Sequence, residues 1–309
     1  MTNPVETVDV MLPHYGRLDL VQDTVRSVLA QDDPNWRLTV VDDTGDDTGD
    51  DTGESADDAL AEWCADLGDD RVRYHRNLRN LGINRNFQQC VDLVEHELAV
   101  IIGCDDLMLP GYVGTVRSAH AAHPDVAMIQ PGVEVVDATG APARTLVDLS
   151  KRFYAPRASE PTVIAGQELA VSLLRGNWLY FPSICWRSEP LRRTGFREGL
   201  DVVQDLALVL DLVLDGESLL VEPTTCFRYR RHDASVSSAH AADGRRFAEE
   251  RAFFLESADR MAVRGWPRAA RAARRHLSSR LNALSRLPAA ARHGGLGGVR
   301  TLARHAFGT

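Results

Sequence analysis

No window of this 309-residue chain approaches 18 consecutive apolar residues, so no transmembrane helix is expected. The first ten residues, Met1–Val10, hold neither the basic nor the apolar segment that makes a secretory signal. Cysteine is sparse. Cys64, Cys90, Cys104, Cys185 and Cys226 are odd in number, scattered, and never spaced as Cys-x-x-Cys. That argues against a zinc knuckle or a disulfide framework and for reduced thiols in a cytosol. Gly-x-Gly-x-x-Gly does not follow the first strand, and Gly-x-x-x-x-Gly-Lys-[Ser/Thr] occurs nowhere. Both absences speak against a dinucleotide dehydrogenase and a P-loop NTPase. A nucleotide, if bound, needs side chains at strand ends and a metal for its phosphates.

What is present is an apolar fraction of 44%, enough for a real core. The length suits one large α/β domain with an appendage, or two ordinary domains. Charge is spread unevenly. Net charge is −9, yet from Arg260 onward there are 11 arginines and no acids. The remainder carries 24 basic and 44 acidic residues, about −20. Such a body repels phosphate backbones, so nucleic acid is not an expected partner. The Ala-, Arg- and Asp-rich composition points to a GC-rich, bacterial genome.

The most informative stretch is Leu98–Pro110. Leu98–Ile102 reads as a short buried strand with β-branched residues, followed by Gly103-Cys104-Asp105-Asp106. Carboxylates at such a strand end sit where ligands bind in open α/β sheets. The pair suits a hard divalent cation, or it caps the turn around Met108–Gly111. Upstream, Thr7–Leu12 is a strand ending in Pro13-His14-Tyr15-Gly16-Arg17. Leu18, Val21, Val25, Val28 and Leu29 then recur at helical spacing, and Trp36–Val41 is a second strand ending in Asp42-Asp43. Strand, helix and strand make a βαβ unit. The tetrad Asp-Asp-Thr-Gly repeats three times over 42–53 and reads as a surface loop. A helix at Ala59–Leu67, a strand at Val72–Tyr74 and a helix after Gly82 complete a mostly parallel, helix-covered sheet.

Beyond Gly111 the pattern predicts a helix at Val113–Ala122, strands at Val126–Gln130 and Val133–Asp137, and a loop-rich stretch over Gly140–Arg157. Gly176–Ser183 mixes aromatics with Asn and Ser, which suits ring stacking on a ligand or plain core packing. Val202–Leu214 is apolar almost all round, a buried helix with Asp205 in its first turn, as a cap or a general base. Asp211 and Asp215 read as surface or cap residues. Strands at Leu219–Glu222 and Cys226–Tyr229 precede an Arg230-Arg231-His232 turn. In the tail, Phe247–Ala262 and Arg268–Leu287 read as helices. The second sets Leu277, Leu281, Leu284 and Leu287 opposite arginines, a stripe that packs on the body or a partner, or lies on an anionic membrane.

Taken in order, these landmarks resemble the inverting GT-A glycosyltransferases of family 2. They are Leu12–Arg17, Val40–Asp43, Asn80-Leu81-Gly82 with Arg85-Asn86, Gly103–Asp106 with Pro110, Gln204-Asp205, and Tyr229–Ser237. They cover roughly residues 5–238. The acidic motif reads Cys-Asp-Asp rather than Asp-x-Asp, and Gly16 stands where Asn is frequent. The resemblance implies a Rossmann-like, mostly parallel sheet with helices on both faces, plus a C-terminal helical extension. Its expected divisions are 1–238 (a nucleotide-sugar half, 1–106, and an acceptor half, 107–238) and 239–309. Pro13, Tyr15, Arg17, Asp42, Asp43, Arg85 and Asp105 would bind the nucleotide-sugar donor. Asp106, with His232 nearby, would hold Mg²⁺ or Mn²⁺. Asp205 would be the base, and Asn177 and Trp178 would lie in the acceptor region.

The expected reaction moves a sugar from a UDP or dTDP donor to the hydroxyl of a carbohydrate, lipid-linked or small-molecule acceptor. Polysaccharide or natural-product biosynthesis is the expected setting. The expected place is the cytoplasm, with peripheral contact at the inner membrane face through the tail, and a homodimer as a further expected contact. A sugar nucleotidyltransferase would need a Gly-rich basic loop where Pro13–Arg17 stands. A non-catalytic nucleotide-sugar-binding relative would not need Asp106, Asp205 and His232 together.

Overall fold

The computed structural model describes residues 6–16, 18–45, 56–143, 145–231, 245–293 and 302–307. The parallel half of the sheet is built from β1 (Val8–His14), β2 (Trp36–Asp42), β3 (Val72–Arg76) and β4 (Leu98–Ile101). These strands alternate to both faces because both faces are covered. Val8, Val10 and Leu12 join one core, packed on α1 (Leu18–Leu29), α2 (Ala56–Asp66) and α4 (Tyr112–Ala122). Met11, Val41, Ala99 and Ile101 join a second core with α3 (Ile83–Asp92), α6 (Gly166–Arg175) and α8 (Gln204–Leu214).

The remaining strands are β5 (Leu107–Met108), β6 (Met128–Asp137), β7 (Thr162–Ala165), β8 (Cys185–Arg187) and β9 (Ser218–Arg231). The sheet runs β3-β2-β1-β4-β8-β6-β9-β5, with β7 paired to β9. β8 is antiparallel to both neighbours, so the parallel order breaks beside β4. Carboxyl ends of β1, β2 and β4 therefore meet at one edge, next to that break, where open α/β sheets bind ligands.

Several expected boundaries move. The strands anticipated on either side of Pro131-Gly132 and of Pro223 are two long strands, β6 and β9, paired in parallel through a register shift at 130–133. A Cβ on Gly132 would lie 2.8 Å from the Pro223 carbonyl, so the close crossing needs glycine. The stretch expected to be loop-rich holds α5 (Leu146–Tyr154). Thr145 caps it, its hydroxyl accepting from the Asp148 amide at 3.2 Å. Helix α7 (Ser188–Thr194) was also not anticipated.

The tail folds as α9 (Arg245–Val263), α10 (Pro267–Arg275) and α11 (Leu277–His293), and residues 302–307 are helical. The single helix expected over 268–287 breaks at His276, whose φ is 28°. His276 is fully buried and stacks on Phe254 at 5.3 Å. Burial pulls its pKa down to about 4, so the ring is neutral where it packs. Phe253, Phe254, Met261 and Ala269 belong to the same core as Leu169 and Leu208. Arg260 and Arg197 both bind Asp211, which is nearly buried and not the surface residue expected. The leucine stripe divides. Leu284 and Leu287 pack on a small cluster of Phe247, Ala283, Leu302 and Ala306, while Leu277 and Leu281 stay exposed.

Since Phe253 is buried in the shared core, Phe253→Ala should cost about 3–5 kcal/mol in chemical denaturation. A loss under about 1 kcal/mol would show that α9 packs only loosely on the body.

Candidate active site

At the carboxyl end of β1, Pro13 and His14 are buried and Tyr15 is 66% exposed. Gly16 follows at φ +106°, a backbone state that a side chain disfavours, which accounts for glycine here. The His14 carbonyl accepts from the Asp43 amide at 2.9 Å and ties this turn to the end of β2. Asp43 is buried and already well supplied. Asn77 Nδ2 and the Leu81 amide donate to Oδ1, both at 2.8 Å, and the Gly82 amide to Oδ2 at 3.0 Å. A carboxylate offers about four acceptor sites, so Asp43 keeps about one, on Oδ2. Asp42 accepts from the Thr44 amide at 3.2 Å and from Tyr74 Oη at 2.5 Å. These acids brace the Asn77–Gly82 loop and the start of α3. Asn86 accepts from Asn77 at 3.0 Å within the same brace. Arg85 points outward beside Glu198, at 3.9 Å.

After β4 the chain turns through Gly103 to Asp105 and Asp106. A Cβ on Gly103 would lie 2.7 Å from Asp106 Oδ2 and 2.9 Å from Asp105 Oδ1, so two carboxylate oxygens converge on the space that glycine leaves. Asp106 is buried. Its Oδ1 accepts from the Arg230 amide at 2.9 Å, and its carbonyl accepts from Thr24 on α1 at 2.8 Å. Its Oδ2 is buried with no hydrogen-bond partner. Burial, and then the Asp105 charge, push the Asp106 carboxyl well above the usual carboxylate range. An orphaned buried oxygen beside a second carboxylate fits a small hard cation, which takes oxygen ligands and restores the charge balance. Another acid–histidine group, Glu6, Glu97 and His120, lies at the opposite, amino-terminal edge of β1 and β4 and serves no site at this end.

Asp205 sits in the first turn of α8. Its Oδ1 accepts from the Leu206 amide at 2.7 Å, and Asn177 Nδ2 approaches Oδ2 at 3.4 Å. Burial raises its pKa, opposed by the Leu206 amide and by Lys151. No side chain within the helix caps α8. Glu249 of α9 does the work from outside, accepting from the Val202 amide at 2.8 Å and the Val203 amide at 3.0 Å. Asn84 of α3 reaches the Leu200 carbonyl at 2.7 Å and Gln204 Oε1 at 3.0 Å. The turn that presents Asp205 is thus held from α3 and from the tail.

A third group was not foreseen from sequence. On α5, Asp148 accepts from Arg231 at 2.7 Å and from Tyr180 Oη at 3.2 Å. Lys151 is half-buried, lies 4.5 Å over the Tyr180 ring and donates to the Leu179 carbonyl. Burial lowers its pKa to about 8. It is the single lysine among 35 basic residues, and that rarity was the available signal. Trp178, expected near the acceptor, is instead a core residue, 4% exposed, with Nε1 donating to Ser172 at 3.0 Å. Asn177 beside it does face Asp205. Arg17, His232 and the last two Asp-Asp-Thr-Gly repeats lie outside the described residues.

Glu249→Ala should speed hydrogen exchange at the Val202 and Val203 amides by about fivefold, since each lost bond is worth roughly 1 kcal/mol. Unchanged exchange there would mean that the turn before Asp205 is held by other contacts.

The family model for "Glycosyl transferase family 2" matches residues 9–179, from β1 to the residue pair beside Asn177. An uncharacterized protein of Mycobacterium tuberculosis, MT1568, is 26% identical over 251 residues, covering 79% of this chain and 73% of that protein. A shorter match, 46% over 43 residues, covers 14% of this chain and 17% of the putative teichuronic acid biosynthesis glycosyltransferase TuaG of Bacillus subtilis. Among solved structures, S. aureus TarS 1-349 superposes with a TM-score of 0.63 at 13% identity, covering 97% of this chain and 81% of that one. The mannosyltransferase PcManGT from Pyrobaculum calidifontis does so at 0.59 and 16% identity, covering 97% and 79%. The fold is that of the GT-A glycosyltransferases, and the chain belongs to glycosyl transferase family 2.

Proposed function

We infer that this glycosyltransferase inverts the sugar it moves, taking it from a nucleoside-diphosphate donor, UDP or dTDP first, to an acceptor hydroxyl. The observation that carries the reading is the orphaned Asp106 Oδ2 facing Asp105 across Gly103, at the sheet edge where donors sit in α/β folds. TarS has been solved with UDP-GlcNAc and the Pyrobaculum enzyme with GDP-Man and Mn²⁺, which supports a donor of this class. Asp106 and Asp105 would hold Mg²⁺ or Mn²⁺, which when bound offsets the negative charge that grows on a departing diphosphate.

The chain's own residues supply the rest. Tyr15 is exposed at the end of β1, next in sequence to His14, whose carbonyl holds the Asp43 amide, and Tyr15 and Asp43 would meet the nucleoside. Asp205 takes the acceptor proton on Oδ2, because Oδ1 is committed to the Leu206 amide. The acceptor oxygen bonds to the anomeric carbon as the bond to the diphosphate breaks, and one displacement inverts the centre. Burial strengthens Asp205 as a base, and the nearby Lys151 charge keeps it ionised. Asn177 orients the carboxylate.

Asp205→Asn should keep nucleotide affinity within about twofold and lower transfer by about 10²–10⁴. Near-normal turnover would place the base elsewhere. A base must be ionised, and the Asp205 pKa is raised. The acid limb of the rate profile should therefore lie above the ordinary Asp value of 3.8. A limb at or below that value would contradict the assignment.

A further inference from the structure

Helix α10 buries Ala269, Ala270 and Ala273 and turns arginines to solvent. Arg268, Arg271 and Arg275 fall at i, i+3 and i+7 on one face, with no acid in the helix. Arg175, at the end of α6, joins them around a cavity of about 460 Å³ that Tyr154 closes on one side. A neighbouring cavity of about 430 Å³ shares Tyr154, Arg175 and Arg268 and is bordered by Phe153. Arg268 pairs with Glu168. Among the described residues, Arg175, Arg271 and Arg275 have no acidic partner, although most other arginines of this acidic body do. Like charges at helical spacing repel, so an anion bound from outside would stabilise this face.

The rim of the groove is apolar. Helix α5 is turned inside out: Asp148 and Lys151 face the protein, while Leu149 and Phe153 face solvent, Phe153 at 81%. On the other side Leu277 and Leu281 are 55% and 59% exposed. Arginine forks match phosphate oxygens, and large apolar side chains beside them suit the boundary between headgroups and acyl chains. A soluble phosphate needs the first and not the second.

We propose that this arginine groove and its apolar rim form a docking surface for an anionic phospholipid bilayer. The arginines take headgroup phosphates, and Phe153, Leu277 and Leu281 enter the interface. This surface keeps only the exposed half of the leucine stripe expected from sequence, Leu277 and Leu281, since Leu284 and Leu287 are packed inward. It adjoins the acceptor side of the active site. The Tyr154 ring lies against Gly176, whose Cβ would come within 2.7 Å of it, and the next residue, Asn177, meets Asp205. A docked enzyme therefore holds the segment that contacts Asp205 close to the membrane.

The test is co-sedimentation of the full chain with phosphatidylglycerol-rich vesicles, with phosphatidylcholine vesicles, and with inorganic pyrophosphate as competitor. The readout is partition, so it stands or falls apart from the glycosyl-transfer reading. The full chain should bind the anionic vesicles and ignore the neutral ones. R271E/R275E should lower partition by about tenfold or more while keeping the thermal midpoint, and Phe153→Ser should lower it without changing net charge. Absence of binding to anionic vesicles would overturn the proposal. So would equal binding by the charge-reversed variant. Pyrophosphate binding without vesicle binding would also overturn it and leave a site for small phosphates only.

Discussion

The Asp106 carboxylate is buried with one oxygen on the Arg230 amide and the other on nothing. A buried carboxyl oxygen without a hydrogen-bond partner is costly in a folded protein, and here it is built in by several elements at once. Strand β4 delivers it, Gly103 leaves the space beside it, Thr24 on α1 holds its carbonyl, and the end of β9 supplies the single donor. Such cost is tolerated where a ligand completes the site.

A different carboxylate, Asp205, organises the start of α8 and has a different need. To serve as the proposed base, a half-buried Asp205 needs position and a nearby positive charge more than it needs partners. Position comes from Asn84 and Glu249, which grip the turn before α8 from opposite sides. Charge comes from Lys151 on α5. Because Glu249 belongs to α9 and α9 shares the main core, the tail is part of how the turn before Asp205 is held.

Much of this was legible in sequence. Alternating and helical periodicities gave the βαβ half, and acids placed after apolar runs marked the ligand edge. Helix α5 was not legible as a core helix because its polar side faces in and its apolar side faces out, the reverse of the usual pattern. Its signals were of another kind, the Thr145-x-x-Asp148 cap and the single lysine. Pro131-Gly132 and Pro223 read as breakers, yet they sit at a register shift inside continuous strands. The break at His276 carries no glycine or proline. Burial and stacking on Phe254 hold a histidine in a conformation that local sequence does not favour. Trp178 stands beside polar residues, and only its bond to Ser172, on α6, shows that it faces the core.

The central claim is that Asp105 and Asp106 form a cation-dependent seat for a nucleoside diphosphate. Thermal unfolding with UDP, dTDP, GDP and CDP, each with Mn²⁺ and with chelator, tests it most directly. Ligand bound to the native state raises apparent stability as RT ln(1 + [L]/Kd). A cation-dependent seat gives a rise with one or more of these nucleotides that the chelator abolishes and that Asp106→Asn does not show. A rise that survives chelator, or one retained in Asp106→Asn, would contradict it.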